Sequence, residues 1–272
     1  YFDLTAVIAL ILLIIAEYGL GIFEGIIGQM VRPSQQNKRL PQEEEIKKAI
    51  EKPLPVERSI TIYLNGVELL TIQATPENLD ELAVGFLYTE GLLKDRGSLK
   101  EVQIGPNKDS VRVETAPIPE IEDLLHNITL TSGCGKGIIF GGWKNIPISR
   151  LKTTFRVTSE TILNLMSQLL QQATLYHQTG GIHASALADK KRILCIREDI
   201  ARHNTFDKLL GKAFLDGTDT SQTSILTTGR ISSEMAMKAA RADIPIVISR
   251  TGVTDLAVSL AEEIGLTIVG YV

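Results

Sequence analysis

With 272 residues, 44% of them hydrophobic and 22% charged, the chain is long enough for a sizeable core and too apolar for a disordered segment. A net charge of −4 argues against a broad nucleic-acid surface, which needs excess lysine and arginine, but leaves room for a local basic pocket that takes a phosphorylated ligand. Two cysteines, Cys134 and Cys195, cannot build a disulfide framework, which points to a reducing, cytoplasmic setting.

Residues 4–31 contain an unbroken apolar run from Leu4 to Ala16. A bilayer-spanning helix needs roughly 20 apolar residues, and reaching that length takes in Glu17, whose cost about a dozen aliphatic residues outweigh. Residues 1–32 are therefore expected to form an apolar helix, either a membrane anchor or the remnant of a fused neighbour, with a buried or partner-binding helix as the alternative. Arg32, Lys38 and Arg39 would keep the rest of the chain on the cytoplasmic side. Residues 33–55, proline-punctuated and of mixed charge, read as a linker with a short helix at Glu43–Glu51. The main domain then covers residues 56–272. The first residue is Tyr1 and Val272 closes an apolar run, which reads as a chain cut at both ends.

In SITIYLNGVELLTIQAT, apolar and polar residues alternate on both sides of Asn65-Gly66, which predicts two strands joined by a type I′ turn. PENLDELAVGFLYTEGLL predicts a helix from Pro76 that buries Leu79, Leu82, Phe86 and Leu87. VQIG and SVRVETA read as short strands. Thr158–Tyr176 predicts one amphipathic helix capped by Thr158 or Ser159. The apolar runs ALADKKRILCI and SILTTG read as buried strands, SSEMAMKAARA as a helix, IPIVISR as a buried strand, VTDLAVSLAEEIG as a helix and LTIVGYV as a strand. Strands alternating with helices imply an α/β layered sheet, preceded by a smaller α+β portion.

Four segments carry polar chemistry. LTSGCGKG places Cys134 on a glycine-rich turn with Lys136 near it and Lys144 not far along the chain. A nearby cation favours the thiolate, and a mobile arm suits a thiol that carries a group between two sites better than a rigidly held nucleophile. GGIHASALA sets His183 after two glycines, read as preceding a small-residue helix; it half-matches the H-x-E of zinc deaminases, but Ser185 stands where the glutamate would be and no P-C-x-x-C follows. A capping or packing histidine is the plain alternative.

REDIARHNTFDKLLG, read as a helix, aligns Asp199, Arg202 and His203 on one face and Asn204, Asp207 and Lys208 on another. It directly follows an apolar strand, and strand carboxyl ends are where open α/β sheets bind ligands, so the cluster reads as a site rather than a solvated face. LTTGRISSEM puts Gly229 and Arg230 between a strand and a helix capped by Ser232 or Ser233, an arrangement suited to phosphate. Cys195, inside ILCI, reads as core.

These pieces, in order, resemble the FdhD/NarQ family of formate dehydrogenase accessory sulfurtransferases: LAVGFLYTEGLL (82–93), TSGCG (131–135), GGIHASAL (180–187), REDIARHN with TFDKLLG (197–211), TTGRISSEM (227–235) and VTDLAVSLAEEIGLTIVGY (253–271). The resemblance, from about Pro53 to Val272, implies a fold similar to that of cytidine deaminases but without the zinc site and without a resident metal. It implies a homodimer that accepts sulfur from a cysteine desulfurase as a persulfide on Cys134. That sulfur then passes to the molybdenum or tungsten bis(molybdopterin guanine dinucleotide) cofactor, bound as substrate through its guanine nucleotide portions, before the cofactor enters formate dehydrogenase. His183, Asp199, Arg202, His203, Asn204, Gly229 and Arg230 are the candidates for the cofactor pocket, with Arg202 and Arg230 on phosphates.

Three positions depart from the family pattern. Gly137 replaces a second loop cysteine, so a persulfide on Cys134 cannot be resolved within the loop. Ala201 stands where glycine is usual, and the chain stops before a basic, glycine-containing segment. The rival readings are a cofactor-sheltering chaperone that needs no thiol, a cysteine hydrolase pairing Cys134 with His183 or His203, and, last, a zinc deaminase.

Overall fold

The structure, a computed structural model, describes residues 52–118, 128–130, 138–140 and 150–272. The expected apolar helix over 1–32, the short helix at 43–51 and the Cys134 turn lie outside the described residues. Pro53–Val272 forms one compact unit. Among the described residues no helix is long and apolar enough to cross a membrane.

Strands β1 (Arg58–Leu64) and β2 (Val67–Ala74) form the expected hairpin. Asn65 and Gly66 both have positive φ, 50° and 82°, as a type I′ turn requires. Helix α1 (Leu79–Thr89) begins three residues after Pro76, because Asn78 takes a left-handed conformation and delays the first turn. Strands β3 (Leu99–Ile104) and β4 (Ser110–Thr115) complete a four-stranded sheet, β2-β1-β4-β3, in which only β1 and β4 run parallel. A separate antiparallel pair joins β5 (Ile128–Leu130) to β6 (Ile138–Phe140).

The second main sheet has five strands in the order β11-β10-β9-β7-β8. They are β7 (His183–Ala188), β8 (Ile193–Asp199), β9 (Ser224–Thr227), β10 (Ile246–Ser249) and β11 (Thr267–Val269). Strands β9, β10 and β11 are parallel, while β7 runs antiparallel to β8 and β9. His183 therefore opens a strand, not a helix. Residues 184–188 of β7 are buried with their alternate side chains on opposite faces: Ala184, Ala186 and Ala188 against α2 (Ser159–Gln172), and Leu187 toward α4 (Arg202–Asp216). Small residues fit there because helices press on both sides.

Helix α2 keeps its expected cap, the Thr158 side chain accepting from the Thr161 amide. The single helix expected over Thr158–Tyr176 breaks at Ala173, and α3 (Thr174–Thr179) restarts it. The Glu198 carboxylate, at the end of β8, accepts the amides of Leu175 at 3.1 Å and Tyr176 at 2.6 Å and so caps the second helix from another element. On the opposite face of the sheet lie α4, α5 (Ser233–Arg241) and α6 (Asp255–Ile264).

Helix α4 sits at the centre of the domain. Every residue from Asn204 to Gly211 is buried, although the segment is rich in charge. Its Asp207 accepts from Lys238 Nζ at 2.7 Å and from the Thr89 hydroxyl at 2.8 Å, and Lys238 also reaches Glu90 at 3.3 Å. Burial pushes the Asp207 carboxyl upward, and Lys238 pulls against it. Helices α1 and α4 cross at Gly85 and Gly211. A Cβ on Gly85 would stand 1.8 Å from the Asp207 carbonyl oxygen, and one on Gly211 1.8 Å from that of Glu81. The two helix backbones are thus in direct contact, and α1 ties the four-stranded sheet to the rest of the domain.

Candidate functional site

The carboxyl ends of β8, β9, β10 and β11 and the amino end of β7 share one edge of the five-stranded sheet. Loops leaving this edge enter α4 and α5. In open α/β sheets ligands bind outside such strand carboxyl ends, which makes this edge the candidate site.

At the centre is the turn Thr228-Gly229-Arg230. The Thr228 amide donates to the Ala184 carbonyl at 2.9 Å, the Gly229 amide to Thr227 Oγ1 at 3.1 Å, and Ser249 Oγ to the Gly229 carbonyl at 2.7 Å. A Cβ on Gly229 would lie 3.0 Å from Arg202 Cβ and 3.3 Å from His183 Nδ1, so only a bare backbone lets these two side chains close on the turn. Arg202, the first residue of α4, has a buried Nε with no hydrogen-bond partner among the described residues. Arg230 is exposed.

Two helices start beside this turn, α4 at Arg202 and α5 at Ser233. The residue before α4 is Ala201, which offers no side-chain cap, and the first turn of α4 holds no acid. Ser232, before α5, also makes no cap bond; its hydroxyl instead lies 3.3 Å from His203 Nε2. The same nitrogen lies 3.1 Å from a Glu234 carboxylate oxygen, so His203 links the start of α4 to the first turn of α5. Helix-start amides without a side-chain cap among the described residues, the Arg202 guanidinium and the exposed Arg230 supply donors and positive charge of the kind an anion takes, which Glu234 tempers. Beside Ala201 opens a cleft of about 490 Å³ lined by Leu54, Pro55, Gln73 and Ile200 among others.

Both histidines are neutral at neutral pH. Burial lowers His183, with Arg202 adding to the effect and Asp199 opposing it. Burial, then Arg202, Lys238 and His183, bring His203 down to about 3. The cationic charge of the turn therefore rests on the two arginines. In the unfolded chain His203 protonates near 6.5. The unfolded state then binds more protons below that pH, and stability falls as the pH drops from 6.5 toward 3, by up to about 1.4 kcal/mol per pH unit for this one proton. Urea midpoints of His203→Gln are expected to decline less steeply than those of the parent over that window; equal slopes would exclude the effect.

The structure separates the candidates into two groups. His183, Arg202, His203, Gly229 and Arg230 meet at the turn. Asp199 and Asn204 are buried behind it. Asp199 ends β8 rather than lying on a helix, and its carboxylate takes Lys208 Nζ at 2.7 Å, the amides of Thr75 at 3.1 Å and Ala201 at 2.9 Å, and Asn204 Nδ2 at 2.9 Å. Asn204 also donates to the Gln73 carbonyl at 2.8 Å. These two residues hold the start of α4 to β2 and β8 through buried hydrogen bonds. Asp207 and Lys208, read with the same cluster, are interior too. Cys195 is half-buried on the edge strand β8, at the margin of the core, and burial pushes its thiol upward. The link from His203 to Ser232 and Glu234 was not legible from spacing, since 29 residues separate His203 from Ser232.

The sequence profile of the FdhD/NarQ family matches residues 55–272. The chain is 36% identical over 227 residues to a protein of Listeria innocua named sulfur carrier protein FdhD, covering 82% of this chain and 87% of the relative. It is 35% identical over 234 residues to the protein of the same name from Bacillus subtilis, covering 82% and 86% of the two chains. Among solved structures it is similar to a protein of Desulfotalea psychrophila assigned as a formate dehydrogenase accessory protein, with a TM-score of 0.63, 28% identity, and coverage of 80% of this chain and 84% of that one.

Proposed function

The chain belongs to the FdhD/NarQ family, and from that premise we propose that it is a sulfur carrier for formate dehydrogenase maturation, with Cys134 as the sulfur-bearing residue and a guanine-dinucleotide molybdenum or tungsten cofactor as the recipient. The observation that carries the binding half of this reading is the convergence of two uncapped helix starts and Arg202 on the Gly229 turn. That arrangement suits a diphosphate: amides and guanidinium supply donors, and the Arg202 Nε still has a hydrogen bond to give. Neutral His183 and His203 add hydrogen bonds without charge.

In the sulfur step the Cys134 thiolate attacks the outer sulfur of a persulfide on the donor, a cysteine desulfurase. The donor's S–S bond breaks, its thiolate leaves, and a new S–S bond forms on Cys134, with no net oxidation. Passing on the outer sulfur would free Cys134 as thiolate and deliver a zero-valent sulfur atom, which would become a sulfide ligand by drawing two electrons from the recipient's reduced metal centre. Gly137 leaves no loop partner to intercept the sulfur as a disulfide.

Intact mass after incubation with cysteine desulfurase and cysteine is expected to rise by about 32 Da, reversibly on reduction, in the parent and in Cys195→Ala but not in Cys134→Ala. In parallel, Arg202→Ala is expected to weaken GDP binding about 10-fold or more by calorimetry, the worth of a charge-assisted hydrogen bond. GDP binding without a sulfur adduct would favour a cofactor chaperone instead.

A further inference from the structure

Arg250 immediately follows β10 on the same strand edge, and its register neighbour across the sheet is the start of the Gly229 turn: Ser249 pairs with Thr227, and the Arg250 amide donates to the Thr227 carbonyl at 3.0 Å. Its side chain leans to the opposite face from Arg202. Arg250 Nη1 donates to the Tyr176 hydroxyl at 3.0 Å, and Tyr176 packs against the apolar cluster that contains Ile246 and Ile248. The guanidinium is exposed and makes no ion pair among the described residues.

Holding Nη1 on a tyrosine leaves Nε–H and the rest of the fork to donate outward as a fixed pair. Such a pair matches a phosphate, a carboxylate or two adjacent acceptors on a base. Phosphate is already served across the edge, where the helix amides lie. On the Arg250 side the starts of α2 and α3 are already taken, by the Thr158 side chain and by Glu198. Neighbouring strands lie about 4.8 Å apart, so a nucleotide with its phosphates at Gly229 reaches Arg250 by crossing one strand end.

We propose that Arg250, held by Tyr176, is the specificity residue that reads the O6 and N7 acceptors of the purine and so selects guanine over adenine, which presents an amino donor at that place. This rests on the nucleotide-binding reading above.

The test is calorimetry with GDP, ADP and inorganic pyrophosphate on the parent, Arg250→Ala and Tyr176→Phe. The parent is expected to prefer GDP over ADP. Arg250→Ala is expected to lose about 10-fold or more in GDP affinity, to bind both nucleotides alike and to keep its affinity for pyrophosphate. Tyr176→Phe is expected to fall between. A GDP preference that survives Arg250→Ala, or a parallel loss of pyrophosphate binding, would overturn the assignment. A parent that binds GDP and ADP equally would overturn it while leaving the nucleotide site intact. A parent that binds none of the three would instead remove the nucleotide-binding reading on which it depends.

Discussion

Gly211→Ala is expected to lower the thermal midpoint by roughly 10 °C, or to leave the protein insoluble, and Gly85→Ala to do the same. In an ordinary helix interior this exchange stabilises by about 0.5–1 kcal/mol, because alanine loses less backbone freedom on folding. Here the sign reverses. The added methyl would sit 1.8 Å from a backbone carbonyl oxygen of the partner helix, against the 3.0 Å that real Cβ atoms keep. A side chain could swing away, but a carbonyl inside a hydrogen-bonded helix cannot. Helices α1 and α4 must separate along their crossing, which the Thr89–Asp207–Lys238 network spans, while the Glu81–Arg197 pair ties α1 to β8 beside it. Overpacking of this kind costs about 1–3 kcal/mol and more when backbone is struck. A thermal midpoint within a degree or two of the parent would show that the helices are not in backbone contact.

Lys208→Met is expected to destabilise by about 3–5 kcal/mol, the cost of stranding one member of a buried ion pair. Both side chains of the Lys208–Asp199 pair have no solvent exposure. Lys208 uses its donors on Asp199 at 2.7 Å, the Thr75 carbonyl at 3.0 Å and the Glu198 carbonyl at 3.4 Å, and methionine replaces none of them. Combining Lys208→Met with Asp199→Asn should recover part of the loss, since the uncompensated charge is then gone. Denaturant unfolding of the two single variants and the double variant gives the coupling directly. Strictly additive losses would mean that the pair is not coupled. Because Asp199 also fixes the Ala201 amide and Asn204, GDP affinity is expected to fall in Lys208→Met even where the protein stays folded.

Some of this was legible from local sequence. The Asn65-Gly66 hairpin follows from two residues that tolerate positive φ between alternating strands. The Thr158 cap and the strand-turn-helix at Gly229 likewise follow from short-range rules, because the groups that satisfy each other are within a few residues. The β7 segment was misread because HASALA is compatible with helix and strand alike. Only the helices on both faces of the sheet account for its run of small residues. The break at Ala173 was equally hidden, since the cap for α3 comes from Glu198, 22 residues beyond Tyr176.

The charge-rich stretch at 197–211 shows where local reading stops. Composition and position bring Arg202 and His203 to the strand edge where the structure also has them, at the start of α4. Spacing alone treated Asp199, Asn204, Asp207 and Lys208 as their equals. Whether a charge faces a ligand or a buried partner depends on what packs against it, and the partners here, Thr75, Thr89, Glu90 and Lys238, come from β2's end, α1 and α5. Sequence by itself determined the family, the Asn65-Gly66 hairpin and the strand-turn-helix at Gly229, because these rest on residue types and short-range periodicity. Tertiary structure alone decided which charged residues close the core and which remain free to bind, because burial and pairing are properties of contacts between segments far apart in the chain.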